Sequence, residues 1–194
     1  MDDFSFARSP ELMSADDSAL VVVDVQEKLM PLIPGRQRLI WNIRRLLDGA
    51  KLLAVPAVAT EQYPQGLGAT VPELAARLES PPAKVLFSCR ECHALFENLA
   101  ARGVNKLLLA GIETHVCIQQ TALDMLAAGF RVYLAVDAIG ARFPLDHEIA
   151  LRRLEASGGV LTTTEAVLFE WCAAASHPHF KQISQLVREA APAE

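Results

Sequence analysis

The sequence contains few aromatic residues and no segment that resembles a membrane span. Phe, Trp and Tyr make up 6% of the 194 residues, so a core must be built mainly from Leu, Val, Ile and Ala. The longest run without a charged residue, residues 62–72, is neither continuously apolar nor close to the ~20 residues that a transmembrane helix needs. Residues 1–12 carry four charges and lack the apolar stretch of a secretory signal. We therefore expect a cytoplasmic protein with no membrane partner.

Positive charge is also scarce. The chain has 18 Lys and Arg against 23 Asp and Glu, for a net charge of −5, so we expect no broad basic surface and no nucleic-acid partner. Its four cysteines, without an export signal, are typical of reduced thiols in a cytoplasm. A hydrophobic content of 52% with 21% charged residues is ordinary for globular proteins and excludes wholesale disorder.

The length of the chain fits one domain. No internal repeat or low-complexity segment divides the sequence. We expect a single domain over residues 17–190, preceded by a flexible N-terminal segment over residues 1–16.

Hydrophobic periodicity predicts a regular alternation of strands and helices. An alternation of this kind favours an α/β fold in which a parallel sheet carries helices on both faces. Residues 63–68, with one Pro and two Gly, are predicted to form a loop. The predicted strands are residues 19–25, 55–59, 85–87, 106–111, 131–136 and 160–163. The predicted helices are residues 39–53, 71–78, 94–102, 115–128, 145–157, 163–169 and 181–189.

Three residues that could carry chemistry lie close to predicted strands, and ligands of parallel sheets bind beyond the carboxyl ends of the strands. Asp24 stands near the end of a strand otherwise made of Val, where a carboxylate is costly unless it is paired or used. Cys117 opens the helix after the fourth strand, and a helix N-terminus is expected to lower the pKa of a thiol. Lys84 begins the third strand. Together they could supply a base, a nucleophile and a stabilising cation.

Each of these residues also has an ordinary structural interpretation. A lone Asp at a strand end is more often an acceptor for loop amides, a Cys is more often a small buried hydrophobe, and a Lys beside a strand is usually solvated. Spacing alone makes the Asp–Lys–Cys combination possible without selecting it.

Other motifs compete with that combination. Cys89 and Cys92 form a C-x-x-C, which could be a redox pair or half of a zinc site, but no second pair of ligands follows, and two ordinary thiols are favoured. His177 and His179 flank a Pro and favour a surface turn. No phosphate-binding glycine motif follows a strand. We therefore expect no metal and no cofactor.

Four blocks of the sequence carry a family resemblance. They are VVVDVQEKL (residues 21–29), TEQYPQGLG (60–68), KVLFSC (84–89) and the long block from LLLAGIETHVC to AVDA (107–138). With these blocks the chain resembles the isochorismatase-like cysteine hydrolase superfamily, and within it the isochorismatase-domain-containing proteins. The resemblance extends over nearly the whole chain, to residue 187.

The resemblance implies a three-layer α/β/α (Rossmann-like) domain with a six-stranded parallel sheet, assembled as a homo-oligomer, a dimer or larger. It implies a catalytic triad of Asp24, Lys84 and Cys117. It also implies a cis peptide between Ile112 and Glu113, and an oxyanion hole formed by the backbone N–H groups of Glu113 and Cys117. Family position and strand ends together suggest a substrate pocket bordered by Gln26, Tyr63 and Thr114.

Two departures from related enzymes narrow the predicted function. Nicotinamidases of the superfamily bind a metal through an Asp and several His residues in the segment that corresponds to residues 60–68, and this segment has no His. True isochorismatases can lack the cysteine, whereas this chain has Cys117. We therefore predict a cysteine hydrolase that cleaves a small amide or related C–N bond through a thioester. The alternative is a non-catalytic interaction protein that retains the hydrolase fold.

Overall fold

The computed structural model describes residues 6–192 and contains a single six-stranded sheet whose paired strands are all parallel. The order of the strands is β3-β2-β1-β4-β5-β6. This sheet confirms the α/β prediction. The strands are β1 (Ser18–Val23), β2 (Ala57–Gln62), β3 (Ala83–Lys84), β4 (Lys106–Ile112), β5 (Arg131–Gly140) and β6 (Val160–Thr162).

Helices cover both faces of the sheet and complete three layers. One apolar cluster joins the sheet to α1, α7 and α8, and a second joins its other face to α4, α5 and α6. None of the helices within residues 6–192 is long and apolar enough to cross a membrane. The helices are α1 (Arg36–Leu52), α2 (Pro64–Leu67), α3 (Pro72–Ala75), α4 (His93–Ala101), α5 (Gln119–Ala127), α6 (Pro144–Ala156), α7 (Thr164–Cys172) and α8 (Phe180–Val187).

The two central strands, β1 and β4, form the middle of the core. Every residue of both strands is buried, because each face of the sheet meets a layer of helices. That burial explains the apolar runs at residues 19–23 and 107–112, which are typical of central parallel strands. The strands run in register from the pair Ser18 and Lys106 to the pair Val23 and Gly111.

The third strand differs from its predicted position. It was predicted at residues 85–87 but consists of Ala83–Lys84, so Lys84 ends the strand rather than beginning it. The backbone N–H groups of Val85 and Leu86 both donate to the carboxylate of Glu91, at 2.7 Å each, and so are not available to a neighbouring strand. The apolar pattern of residues 85–87 therefore does not reflect burial, and all three side chains are exposed.

Two helical segments also differ from the prediction. The predicted loop at residues 63–68 contains α2, whose first residue, Pro64, has the backbone geometry that a first helical turn requires. The helix predicted over residues 115–128 begins as a π-helical turn, Thr114–Ile118, and continues as α5. The helix predicted over residues 163–169 is present as α7, and it is capped by Thr163, whose hydroxyl accepts from the backbone N–H of Ala166.

Part of the N-terminal segment lies against the amino ends of β4 and β5. Met13 is fully buried, and its backbone N–H donates to the carboxylate of Glu170 at 2.8 Å. The carbonyl oxygen of Leu12 accepts from Lys106 at 2.8 Å. The predicted division at residues 16 and 17, and the flexibility of residues 1–16, stay predictions, and residues 1–5 lie outside the described part of the chain.

Candidate functional site

The candidate site lies where the order of the strands reverses. The chain leaves β1 toward α1 on one face of the sheet and leaves β4 toward α5 on the other, so a crevice opens between the carboxyl ends of these two neighbouring strands. Asp24 follows β1 directly, and Cys117 lies in the π-helical turn after β4. Two residues that are 93 positions apart in sequence are thereby placed at one crevice.

Gly111 allows the two strands to approach closely at this point. Its φ is +120°, and a Cβ placed on it would lie 2.1 Å from the carbonyl oxygen of Val23. A side chain at this position would therefore collide with the backbone that leads into Asp24. One residue further on, the peptide bond between Ile112 and Glu113 is cis, as the family resemblance implies.

Asp24 and Lys84 form a buried ion pair. The ammonium of Lys84 lies 2.7 Å from Oδ2 of Asp24, and both side chains are almost completely excluded from solvent. Lys84 also donates to Oε1 of Gln62 at 2.7 Å and to the carbonyl oxygen of Phe87 at 2.8 Å. Burial alone would lower the pKa of Lys84, but the charge of Asp24 and smaller contributions from two nearby thiols outweigh it and raise the pKa. The cluster thus holds an ammonium in a dry environment.

The thiol of Cys117 belongs to the same cluster. Its residue is 7% exposed. Burial raises the pKa of Cys117 well above that of an ordinary thiol, the charge of Asp24 and a hydrogen bond with it raise it further, and Lys84 opposes them. The prediction of a lowered pKa was therefore wrong for the free protein, because burial and the neighbouring carboxylate outweigh the helix terminus. In the free protein this residue is therefore a protonated thiol.

A second thiol, Cys89, for which the sequence favoured an ordinary role, is connected to Asp24 through one hydroxyl group. The hydroxyl of Thr60 is 2.9 Å from Oδ1 of Asp24 and 3.4 Å from Sγ of Cys89. Cys89 is fully buried, and burial, followed by the charge of Asp24, raises its pKa to about 11. Thr60 could have been recognised from its position two residues before the end of β2, at the same edge of the sheet as Asp24.

The remaining motifs do not join the cluster. Cys92 is half-buried, and both Cys89 and Cys92 are free thiols. The rings of His177 and His179 contact each other in the turn before α8. Within residues 6–192, no group of three or more His, Cys, Asp and Glu side chains is arranged to hold a metal ion.

Gln26 and Tyr63, two of the predicted pocket residues, differ in their exposure to solvent. Gln26 is fully buried; its amide nitrogen donates to the carbonyl oxygens of Gln62 and Gly68, and its amide oxygen accepts from the backbone N–H of Gln62. These contacts brace the chain around α2. Tyr63 is 54% exposed and has a φ of 37°. Their assignment to a substrate pocket stays a prediction, and the amide hydrogens of Gln26 are already engaged.

The third predicted pocket residue, Thr114, is fully buried and lies between Glu113 and the rest of the π-helical turn. Its hydroxyl is 2.8 Å from Nδ1 of His147 in α6. Burial lowers the pKa of His147, so the ring is neutral at neutral pH. The carboxylate of Glu113 pairs with Arg142 at 3.0 Å. Two contacts with the segment after β5 therefore hold this turn, and no local sequence pattern indicated them.

Comparisons with known proteins agree with this architecture. A family model described as the isochorismatase domain matches residues 18–166. The isochorismatase domain-containing protein 2 of Bos taurus is 45% identical over 176 residues, which cover 90% of this chain and 85% of that protein.

Solved structures show the same fold. The MAR1 ribonuclease from Caenorhabditis elegans superposes with a TM-score of 0.86 at 38% identity, over 94% of this chain and 95% of that one. The YcaC gene product from Escherichia coli, described as an octameric hydrolase of unknown specificity, superposes with a TM-score of 0.82 at 24% identity, over 93% and 97% of the two chains. The matched domain and the identity to its relatives place this chain in the isochorismatase-like hydrolase family.

Proposed function

We propose that the protein is a cysteine hydrolase that cleaves a small amide or related C–N bond, with Asp24, Lys84 and Cys117 as its catalytic triad. The observation that carries the proposal is the buried cluster in which the Cys117 thiol interacts with a carboxylate that Lys84 contacts at 2.7 Å. A thiol of raised pKa beside a positioned base is an arrangement that general-base activation of a nucleophile requires.

In the first step, Asp24 takes the proton of Cys117, and the thiolate attacks the carbonyl carbon of the substrate. This proton transfer keeps one negative and one positive charge in the buried cluster, because the charge lost by Asp24 appears on sulfur and Lys84 stays protonated. The transfer therefore avoids adding a net charge to a dry site, which would be costly.

In the following steps, the backbone N–H groups of Glu113 and Cys117 stabilise the oxyanion of the tetrahedral intermediate. Asp24 returns its proton to the leaving ammonia or amine as the C–N bond breaks, leaving a thioester on Cys117. Asp24 then takes a proton from a water molecule, whose oxygen attacks the thioester carbonyl carbon. As the C–S bond breaks, Asp24 returns this proton to the sulfur, which regenerates the thiol of Cys117 and releases the acid.

The proposal is tested by screening small primary and secondary amides for hydrolysis. We expect turnover with the wild-type protein and a loss of at least about a thousand-fold in kcat for Cys117→Ala. Cys92→Ser serves as the matched control, since Cys92 is half-buried and is not part of the ion pair between Asp24 and Lys84; it should retain wild-type activity. Equal turnover in Cys117→Ala would contradict the nucleophile assignment.

The rival interpretation is an interaction protein that retains the fold. It predicts that all four thiols react sluggishly and similarly with iodoacetamide across the pH range. A catalytic Cys117 should instead show a pH profile of its own, because two charged neighbours control its ionisation.

A second candidate activity comes from the names of related proteins. The 38% identical neighbour from Caenorhabditis elegans, and one from Leishmania major at 29%, are named as ribonucleases, the latter as putative. The net charge of −5 does not favour binding of a polyanion. Cleavage of a labelled single-stranded RNA by the wild-type protein, and its loss in Asp24→Asn, would support ribonuclease activity over the amide hydrolysis proposed above.

A further inference from the structure

The proposed base must be held in place while it gains and loses a proton. Lys84 contacts Oδ2 of Asp24, and the Thr60 hydroxyl contacts Oδ1 at 2.9 Å. The backbone N–H of Asp24 also donates to the carbonyl oxygen of Thr60, at 3.2 Å. Thr60 is 1% exposed, so its hydroxyl is shielded from bulk water. Side chain and backbone of one residue thus fix the orientation of Asp24.

The directions of these hydrogen bonds follow from the number of hydrogens available. A threonine hydroxyl has one hydrogen to donate, and an ionised carboxylate only accepts, so Thr60 donates to Asp24. The second contact of the same hydroxyl oxygen, 3.4 Å from Sγ of Cys89, must then be one in which the thiol donates. With a pKa of about 11, Cys89 retains its hydrogen at neutral pH.

We propose that Thr60 is a positioning residue for Asp24, backed by Cys89, in a hydrogen-bond chain that serves both protonation states of the carboxyl group. The proposal rests on the role of Asp24 as the base. While Asp24 is ionised, the hydrogens point toward it, from Cys89 to Thr60 and from Thr60 to Oδ1. After Asp24 has taken the Cys117 proton, its O–H can donate to Thr60, and the Thr60 hydrogen turns toward the sulfur of Cys89. Only the positions of the hydrogens change, and no hydrogen leaves this series of hydrogen bonds.

Cys89 is held in place independently of Thr60. Its backbone N–H donates to the hydroxyl of Thr121 at 2.9 Å. Thr121 belongs to α5, four residues after Cys117. The helix α5, which follows the turn that contains Cys117, therefore also positions Cys89 next to Thr60. The first cysteine of the C-x-x-C motif thereby has a role that requires neither a disulfide nor a metal.

The test measures alkylation of Cys117 by iodoacetamide, resolved by peptide mass spectrometry, together with kcat/KM, from pH 4 to pH 9. Thr60→Val removes a hydrogen bond that favours the charged form of the carboxylate, on which both profiles depend at acid pH. We expect the midpoint of the acid limb to move upward by about one pH unit. Thr60→Ser should restore the wild-type midpoint.

Cys89 and Cys92 provide a matched pair of controls. Cys89→Ala should shift the acid limb in the same direction by a smaller amount, because Thr60 keeps its bond to Asp24 but loses its own donor. Cys89→Ser, whose hydroxyl can still donate, and Cys92→Ala should leave the midpoint unchanged. Circular dichroism of each variant verifies the fold.

Three results would overturn the positioning role. They are a wild-type midpoint in folded Thr60→Val, a shift in Thr60→Ser as large as in Thr60→Val, and equal shifts in Cys89→Ala and Cys92→Ala. If Thr60→Val does not fold, the comparison of Cys89→Ala with Cys92→Ala decides.

Alkylation needs no substrate, so failure of the proposed function can be told apart from failure of the positioning role. The expected alkylation shifts without turnover of any amide would refute amide hydrolysis and retain the role of Thr60. A Cys117 that resists alkylation at every pH in all variants would count against both.

Discussion

At the scale of single residues, the site depends on two opposing influences on one thiol. Asp24 raises the pKa of Cys117 and Lys84 lowers it, within a site whose burial already disfavours the thiolate. The ionisation of Cys117 therefore depends on both charged neighbours. This dependence gives the proposed triad a signature that ordinary buried cysteines would not share.

Replacement of each charged partner should shift the alkylation of Cys117 in opposite directions. Lys84→Met removes the cation that favours the thiolate, so alkylation near neutral pH should slow about ten-fold. Asp24→Asn removes the carboxylate that opposes the thiolate, so thiolate formation should become easier, while turnover stops. The measurement is the alkylation rate against pH, with protein fold verified by circular dichroism. Superimposable curves for both variants and the wild-type protein would require the triad to be abandoned.

Gly111 should be intolerant of substitution for a steric reason. In Gly111→Ala, the added Cβ would lie 2.1 Å from the backbone oxygen of Val23, so the ends of β1 and β4 must separate. We expect a loss of unfolding free energy of about 3–5 kcal/mol or a failure to fold. Gly103→Ala is the control: Gly103 also has a positive φ, but nothing lies within 4 Å of its added Cβ, and the expected cost is about 1 kcal/mol. Equal costs, measured by chemical denaturation, would contradict the close approach.

At the scale of secondary structure elements, the turn after β4 is held by contacts with α6 and the segment before it. The bond between Thr114 and His147 and the ion pair between Glu113 and Arg142 connect these elements. The turn is π-helical rather than α-helical, and such turns are frequent at functional sites. A displacement of α6 should therefore also displace the turn that contains Cys117.

At acid pH, protonation of His147 should weaken its contact with Thr114. Burial places the pKa of His147 below its unfolded value of about 6.5, so the unfolded state binds more protons below that pH. The stability contributed by neutral His147 is therefore fully present above about pH 6.5 and is lost as the pH falls through the lowered value. His147→Gln should reduce the drop in Tm between pH 7.5 and pH 5, whereas the exposed His93→Gln should not. The same drop in all three proteins would contradict this role.

At the scale of the whole molecule, we propose that the chain assembles as a homo-oligomer, a dimer or larger. A group of large apolar side chains that is exposed to solvent is typical of a surface that binds a partner. Light scattering at micromolar concentration should give a mass of at least twice 21.1 kDa, and a monomer mass would contradict the proposal. The exposed apolar side chains that follow the strand ends are Val85, Leu86, Phe87, Phe143 and Leu145.

The sequence by itself determined those strands and helices whose hydrophobic pattern directly reflects which of their side chains are buried. The apolar runs at residues 19–25 and 106–111 predicted two strands of a parallel sheet, and β1 and β4 occupy these positions, because a strand that is covered on both faces is largely apolar. The alternation of strands and helices predicted the layers, and the family resemblance indicated Asp24, Lys84 and Cys117.

Only the tertiary structure decided what long-range contacts control. The third strand ends early because Glu91 binds the next backbone N–H groups, although residues 85–87 have a strand-like composition. The pKa of Cys117 is raised rather than lowered, because burial and Asp24 are properties of the assembled crevice. Thr60 meets Cys89 from a separate strand, so no local pattern contained that contact. Local patterns record which residues avoid water, whereas the chemistry of the site depends on which of them meet.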